Sequence, residues 1–279
     1  MNKYINEYIR EKRQEVESFL GEWMRADPDE LSAPASYTLL APCHRWRPIL
    51  SLALAQAYGN DYENILPLSC AVEFVHAASL ILDDMPSMDN AELRRGKKTS
   101  HLQFGEGGAS LIAHYLVLQG RRILREHSPS DGKLFSKLFL RSLDMVDDMI
   151  KGQIIDLESA SLSPGEIINM YALKSGSPYV FSTVIGVGSS PAWPDESITG
   201  FGNSVGVAYQ IADDLGDVLA GVSELRKDIR KDQNKPTLVR ALGIESAREE
   251  AVCYKEKAIG FVRDHSLLVE LLEKIIVVP

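Results

Sequence analysis

An apolar run from Leu66 to Leu82 limits the possible folds more than any other segment of the chain. We predict that this run is a buried helix, which ends before Pro86 because the residue preceding a proline avoids the helical conformation. Helical spacing recurs along the chain, whereas no segment alternates clearly with period two, and we find no repeat or low-complexity linker. We therefore predict an all-α fold in which residues 1–279 form a single domain, a large helical bundle.

The predicted helix is followed by three acids and then by four bases. These residues are Asp83, Asp84 and Asp89, then Arg94, Arg95, Lys97 and Lys98. Sites built only from carboxylates suit hard cations, and Mg²⁺ typically combines one or two carboxylates with substrate phosphate oxygens. Arginines can hold the remaining phosphate oxygens by forked hydrogen bonds. The pattern therefore favours a site for a metal-bridged anion over a surface segment.

A second group of acids lies far downstream, in the apolar helical pattern of residues 201–221. Asp213 and Asp217 are four residues apart and share a helix face, with Asp214 beside them. No base lies between Ala208 and Gly221 to neutralise these acids. Three carboxylates together are unfavourable unless a cation or water joins them. Taken alone, this group is also compatible with a solvated helix face.

The two groups together, DDxxxxD followed by RRG and later YQIADDxxD, resemble the aspartate-rich motifs of the trans-isoprenyl diphosphate synthases, or polyprenyl synthetases. The short-chain farnesyl and geranylgeranyl diphosphate synthases belong to that family. The resemblance extends from about Pro42 to Thr237. It implies an isoprenoid-synthase bundle around a central cavity, three Mg²⁺ ions, and a homodimer. It also implies condensation of an allylic diphosphate with isopentenyl diphosphate.

The resemblance also assigns roles to individual residues. It implies magnesium ligands at the six motif acids: Asp83, Asp84, Asp89, Asp213, Asp214 and Asp217. It implies substrate contacts from a set of basic and amide side chains: His44, Arg47, His76, Arg94, Arg95, Lys174, Gln210 and Lys227. The catalytic set is Asp83, Asp84, Lys174, Asp213 and Asp214, and Gln153 and Asp156 resemble the residues that support the first motif.

Two features concern the substrates. The family has a lysine where this chain has His44, and the neighbouring glycines are missing. Upstream of Asp83, where the family closes a short cavity with a bulky residue, the chain has the small residues Ala78 and Ser79, and Phe74 is the next candidate for a floor. We therefore expect a product of fifteen to twenty carbons, with twenty preferred.

Composition narrows the remaining classes. A net charge of −9 argues against nucleic-acid binding. Three widely spaced cysteines without a zinc pattern indicate reduced thiols in a cytoplasmic protein. The first twenty residues lack an apolar signal core, and no run approaches 18 apolar residues, so we expect no membrane span.

Several alternatives stay open at this stage. The altered 43–48 stretch also fits a terpene synthase or an atypical condensing enzyme on the same fold. A non-catalytic partner subunit is disfavoured because the chain keeps all six aspartates. His76 could be an ordinary core histidine. Its spacing from Glu73 also matches half of a di-iron motif, which is discounted because the second copy is missing.

Overall fold

The computed structural model describes residues 2–128, 132–158, 162–188, 190, 192–223 and 235–279. These residues form an all-α fold, as predicted. The N-terminal helices are α1 (Asn2–Ala26), α2 (Ser32–Leu39), α3 (Trp46–Tyr58), α4 (Tyr62–Asp83), α5 (Ser100–His127) and α6 (Gly132–Glu158). The later helices are α7 (Pro164–Tyr171), a π-helix (Ala172–Gly176), α8 (Ser177–Val187), α9 (Asp195–Ser223), α10 (Leu238–Leu242), α11 (Ile244–Val262) and α12 (Ser266–Ile275). A short antiparallel hairpin pairs β1 (Leu93–Arg94) with β2 (Lys97–Lys98).

The chain divides into two compact units, Met1–Leu140 and Arg141–Pro279, here called unit 1 and unit 2. The division falls within α6, because α6 runs through residue 140 without a break. That the whole chain is a single domain stays a prediction.

Helix α4 is the core helix of unit 1 and confirms the helix predicted at residues 66–82. It begins earlier, at Tyr62, because the Asp61 side chain caps it by accepting a hydrogen bond from the Glu63 amide. Helices α3 and α5 pack along it. Contrary to our expectation, α4 is long and apolar enough to span a membrane by length and composition alone, and 61% of its most apolar window is buried within the structure.

Unit 2 is organised around α9, which packs against α8 and α11. Ile211 and Leu215 of α9 are fully buried in a cluster with residues of α7, α10 and α11. The start of α7 is a capping box, in which Ser163 and Glu166 satisfy each other's backbone amides.

Gly176 and Pro178 do not break the helical path of unit 2. The chain continues from α7 through the π-helix into α8 without interruption, because Pro178 stands in the first turn of α8, where proline is tolerated. The π-helix adds a wide turn at the segment that carries Lys174. Such turns are rare and frequently occur at functional sites.

Candidate active site

A group of basic side chains in unit 1 surrounds His76 on α4. Burial lowers the pKa of His76 well below its ordinary value, and four arginines lower it further: Arg47, Arg95, Arg94 and Arg45. These guanidinium groups are therefore close enough to act on one imidazole. The structure thus brings together Arg47, Arg94 and Arg95, three of the bases predicted from sequence, around His76, which was predicted with them.

His44 lies in the turn before α3, which begins at Trp46. Its ring stacks on Trp46, with the ring centroids 5.2 Å apart and the planes 6° from parallel. Burial, and then the charges of Arg13 and Arg95, lower the pKa of His44. His44 is consequently a mostly neutral hydrogen-bonding group near pH 7.

Arg45, which sequence reasoning left without a role, is a buried structural residue with only 3% of its surface exposed. Its Nη1 donates to Glu73 Oε2 at 2.9 Å, and its Nη2 donates to the Leu39 carbonyl at 2.7 Å. The backbone of Arg45 is left-handed, with φ of 58°. The pair ties the turn that presents His44 to α4. Glu73 therefore serves Arg45, which argues further against the di-iron alternative.

The first acidic motif folds back on itself directly after α4. The amide of Asp89 donates to the Asp83 carbonyl at 2.9 Å, which brings the two ends of the motif together. Asp84 is buried, and Arg94 holds both of its carboxylate oxygens, with Nε at 2.9 and 2.8 Å and Nη2 at 2.7 Å. Burial alone would lower the pKa of Arg94, but the hydrogen bonds and charge of Asp84, and then the charges of Asp83 and Asp89, raise it.

These contacts involve two residues with predicted roles. Asp84 is a predicted magnesium ligand and Arg94 a predicted diphosphate-binding residue; in the structure they bind each other, and both roles stay predictions. The physical reason is their separation of ten residues across a tight turn, which places a buried carboxylate opposite a forked guanidinium.

The second acidic motif divides in a similar way on α9. Asp213 and Asp217 are exposed, and partial desolvation followed by the charge of Asp217 raises the pKa of Asp213. Asp214 instead points to protein partners, because it accepts hydrogen bonds from Gln210 Nε2 at 3.0 Å and from the Tyr171 hydroxyl. Burial raises the pKa of Asp214 to about 6, although both hydrogen bonds lower it. Asp214 therefore differs from Asp213 and Asp217 in its surroundings, and the roles of all three as magnesium ligands stay predictions.

The partners of Asp214 form a short chain of hydrogen bonds. Ser175 donates to Gln210 Oε1 at 2.8 Å, so both ends of the Gln210 amide are used within the protein. Tyr171 also accepts a hydrogen bond from the Leu238 amide at 3.0 Å. Sequence reasoning missed Tyr171, and only its apolar spacing on α7 distinguished it. Gln210 thus holds Asp214 in position, and its predicted contact with substrate stays a prediction.

Lys174 projects from the π-helix and donates to Asp156 Oδ2 of α6 at 2.9 Å. The contact is close because α6 has Gly152 at this level, where a Cβ would come within 2.7 Å of the Lys174 amide nitrogen. The structure therefore joins two residues that were predicted separately. Lys227, predicted to bind substrate, lies outside the described residues.

Comparison with known proteins decides the family. The polyprenyl synthetase family model matches residues 28–269. This chain belongs to the polyprenyl synthetase family. It is 31% identical over 274 residues to a farnesyl diphosphate synthase of Geobacillus stearothermophilus, covering 93% of this chain and 92% of that relative.

Two further comparisons agree with this family. A geranylgeranyl diphosphate synthase of Pseudescherichia vulneris is 37% identical over 223 residues, which cover 76% of this chain and 71% of that relative. The crystal structure of a geranyltranstransferase from Thermotoga maritima superposes with a TM-score of 0.82 at 29% identity, covering 95% of this chain and 96% of that one. The relatives include both farnesyl and geranylgeranyl diphosphate synthases, so they do not decide between products of fifteen and twenty carbons.

The polyprenyl synthetases are magnesium-dependent, and the acids of this chain fit that ion. Asp83 and Asp89 in unit 1, and Asp213 and Asp217 in unit 2, offer oxygen ligands only, which suits Mg²⁺. A cation would also relieve the repulsion that raises the pKa of Asp213. In the described part of the chain, no three acidic, histidine or cysteine side chains converge as a complete metal-binding group. Asp84 of the first motif is held by Arg94, and Asp214 of the second motif is held by Tyr171.

Proposed function

We propose that this chain condenses an allylic diphosphate with isopentenyl diphosphate and releases a short-chain trans-prenyl diphosphate. The observation that carries the proposal is the positive charge that Arg47 and Arg95, together with Arg94 and Arg45, place close to His76, because such charge favours binding of a diphosphate. Membership of the polyprenyl synthetase family supports the same reaction class. The relatives give no support to the alternative of a terpene synthase.

We assign the diphosphate of isopentenyl diphosphate to the basic group of unit 1. Arg47 and Arg95 supply fixed positive charge, and His44 and His76 supply neutral hydrogen bonds. Arg45 is bound to Glu73, and Arg94 is bound to Asp84. We therefore propose that these two arginines position the site and do not bind the diphosphate directly.

We assign magnesium to Asp83, Asp89, Asp213 and Asp217, with three ions in total. Bound Mg²⁺ supplies a Lewis acid that neutralises the charge developing on the leaving diphosphate. Lys174, whose ammonium group is oriented by Asp156, contributes a further positive charge to the allylic diphosphate, as Lys227 does.

The bond between the allylic carbon and its diphosphate oxygen then breaks. The double bond of isopentenyl diphosphate attacks that carbon, and a proton is lost to the departing diphosphate. We assign no side chain as the base. The reaction needs an apolar environment, because water would capture the allylic cation.

We further propose a twenty-carbon product. Ala78 is buried with 2% of its surface exposed, and one turn further from Asp83 the fully buried Phe74 is the first large side chain of this face. Replacing Ala78 by Phe should therefore shorten the product. If Ala78→Phe gives the wild-type product, the floor has been placed at the wrong level.

A homodimer is also part of the proposal, and α6 supports it. On the side of α6 opposite the buried Met145, four large apolar side chains with 38–55% of their surface exposed follow heptad-like spacing: Leu143, Ile150, Ile154 and Leu157. An apolar stripe on one helix can pair with the same stripe of a second copy. Light scattering after gel filtration should give twice the chain mass for the wild type and a monomer for Ile150→Glu. A monomeric wild type would contradict the proposal.

We propose a cytoplasmic location, because Cys43, Cys70 and Cys253 are all free thiols, as expected in a reducing compartment. The decisive experiment for the function is a product assay with Mg²⁺, isopentenyl diphosphate and each of the five-, ten- and fifteen-carbon allylic diphosphates. Longer diphosphates are expected. Hydrocarbons or alcohols formed from an allylic diphosphate alone would instead indicate a terpene synthase.

A further inference from the structure

Helix α1 brings an additional arginine to the basic group of unit 1. Glu17 Oε1 on α1 lies 3.8 Å from Arg45 Nε, so this part of α1 packs beside the turn that precedes α3. Arg13 lies four residues before Glu17 and shares its helix face. The charge of Arg13 also lowers the pKa of His44, the residue that directly precedes Arg45 in this turn. The charge of Arg13 is therefore close enough to His44 to act on it.

Arg13 makes no hydrogen bond or ion pair within the described part of the chain, although Glu17 stands at the spacing where a partner is usual. Glu17 lies against Arg45 instead. The Nε of Arg13 is also shielded from solvent without an acceptor. A shielded charged donor without a partner is unfavourable and calls for an explanation, which an anionic ligand would provide.

The proposed binding site for the diphosphate has no fixed positive charge at position 44. The ring of His44 is stacked on Trp46, and burial followed by the charges of Arg13 and Arg95 lowers its pKa, so it is poorly suited to carry a proton. Arg45 is neutralised by Glu73 and does not substitute for it. Arg13 is the cation whose charge acts most strongly on His44. His44 of the turn therefore supplies a hydrogen-bond donor at this place, and Arg13 of α1 supplies a positive charge.

We propose that Arg13 is a substrate-binding residue that gives its guanidinium to the diphosphate of isopentenyl diphosphate, beside His44. The inference rests on the proposed function and adds a residue from α1 to that subsite. Arg13 thus supplies the fixed charge that a histidine at position 44 does not.

Steady-state kinetics test the proposal by separating the two substrates. Arg13→Gln should raise KM for isopentenyl diphosphate about 10- to 100-fold, the effect of losing one charge-assisted hydrogen bond. KM for the allylic diphosphate and the melting temperature should be unchanged. Arg10→Gln is the matched control, because Arg10 lies on the same helix but is exposed and paired with Glu7. Unchanged KM values for Arg13→Gln, or equal rises for both substrates together with a lower melting temperature, would overturn the proposal.

A binding experiment without metal separates this inference from the proposed function. Calorimetric titration with inorganic pyrophosphate in EDTA should show weaker binding to Arg13→Gln than to the wild type and to Arg10→Gln. The double variant His44→Lys/Arg13→Gln should recover binding, since lysine restores a fixed charge at the same place. Equal pyrophosphate affinity for the wild type and Arg13→Gln, or no recovery in the double variant, would refute the role of Arg13. If the wild type binds pyrophosphate through Arg13 but the product assay yields no elongated prenyl diphosphate, only the proposed function is refuted.

Discussion

The buried pair of Arg45 and Glu73 should be the most sensitive ionic contact in unit 1. Only 2% of each side chain is exposed, and the two atoms of the pair are 2.9 Å apart. Replacing Glu73 by Leu leaves a buried guanidinium without its main counter-ion, and such a loss typically destabilises by about 3–5 kcal/mol. Glu17 remains 3.8 Å from Arg45 but is 42% exposed, so it screens part of the charge and places the expected loss near ~3 kcal/mol.

Thermal denaturation provides the assay. For a chain of this size, ~3 kcal/mol corresponds to a fall in Tm of roughly 6–12 °C. Arg45→Met/Glu73→Leu removes both charges and should be more stable than Glu73→Leu alone, because no unpaired charge remains. Glu7→Gln, in the exposed pair with Arg10, is the control and should change Tm little. The Arg45–Glu73 pair does not stabilise unit 1 as inferred if Glu73→Leu changes Tm as little as this control does. The same holds if the Tm losses of Arg45→Met and Glu73→Leu simply add in the double variant.

Three further outcomes follow from the structure. Asp213→Asn should lower kcat roughly 100-fold in a product assay at saturating Mg²⁺. Asp147→Asn, which changes an exposed acid paired with a lysine, should leave kcat unchanged. Equal kcat values for the two variants would exclude Asp213 as a ligand. Gly206→Ala should lower Tm by the equivalent of about 1–3 kcal/mol, because a Cβ would meet facing backbone at 2.4 Å, whereas Gly216→Ala has open space and should not be destabilising. Below about pH 6.5 the Tm of the wild type should fall more steeply, or rise less, than the Tm of His76→Gln, because the unfolded chain binds a proton at this histidine before the folded chain does; equal pH slopes for the two proteins would contradict the assignment.

Features fixed by local sequence were predictable. Helix α4 was located within a few residues because apolar spacing and Pro86 define it. Gly59 ends α3 in a left-handed conformation that glycine adopts readily, and Ser163 caps α7 through Glu166. In each case the signal lies within a few residues of its consequence.

Partner choices made across longer distances were not predictable in the same way. The sequence indicated that Asp84 and Arg94 belong to one site, but not that they would bind each other. Arg45 looked like one base among several, because its partner Glu73 is 28 residues away on another helix. The π-helix was also missed, since its wide turn depends on backbone hydrogen bonds that no residue type specifies.

The two acidic motifs follow one design, although they lie in different units. In each, the second aspartate of the DD pair is turned into the protein, where Arg94 holds Asp84, and Tyr171 with Gln210 holds Asp214. These contacts fix the backbone that carries the neighbouring acids, which we propose as the ligands of the cation. An acid that is lost from the inward position should therefore weaken metal binding through misplacement of its neighbours and not through the loss of a ligand.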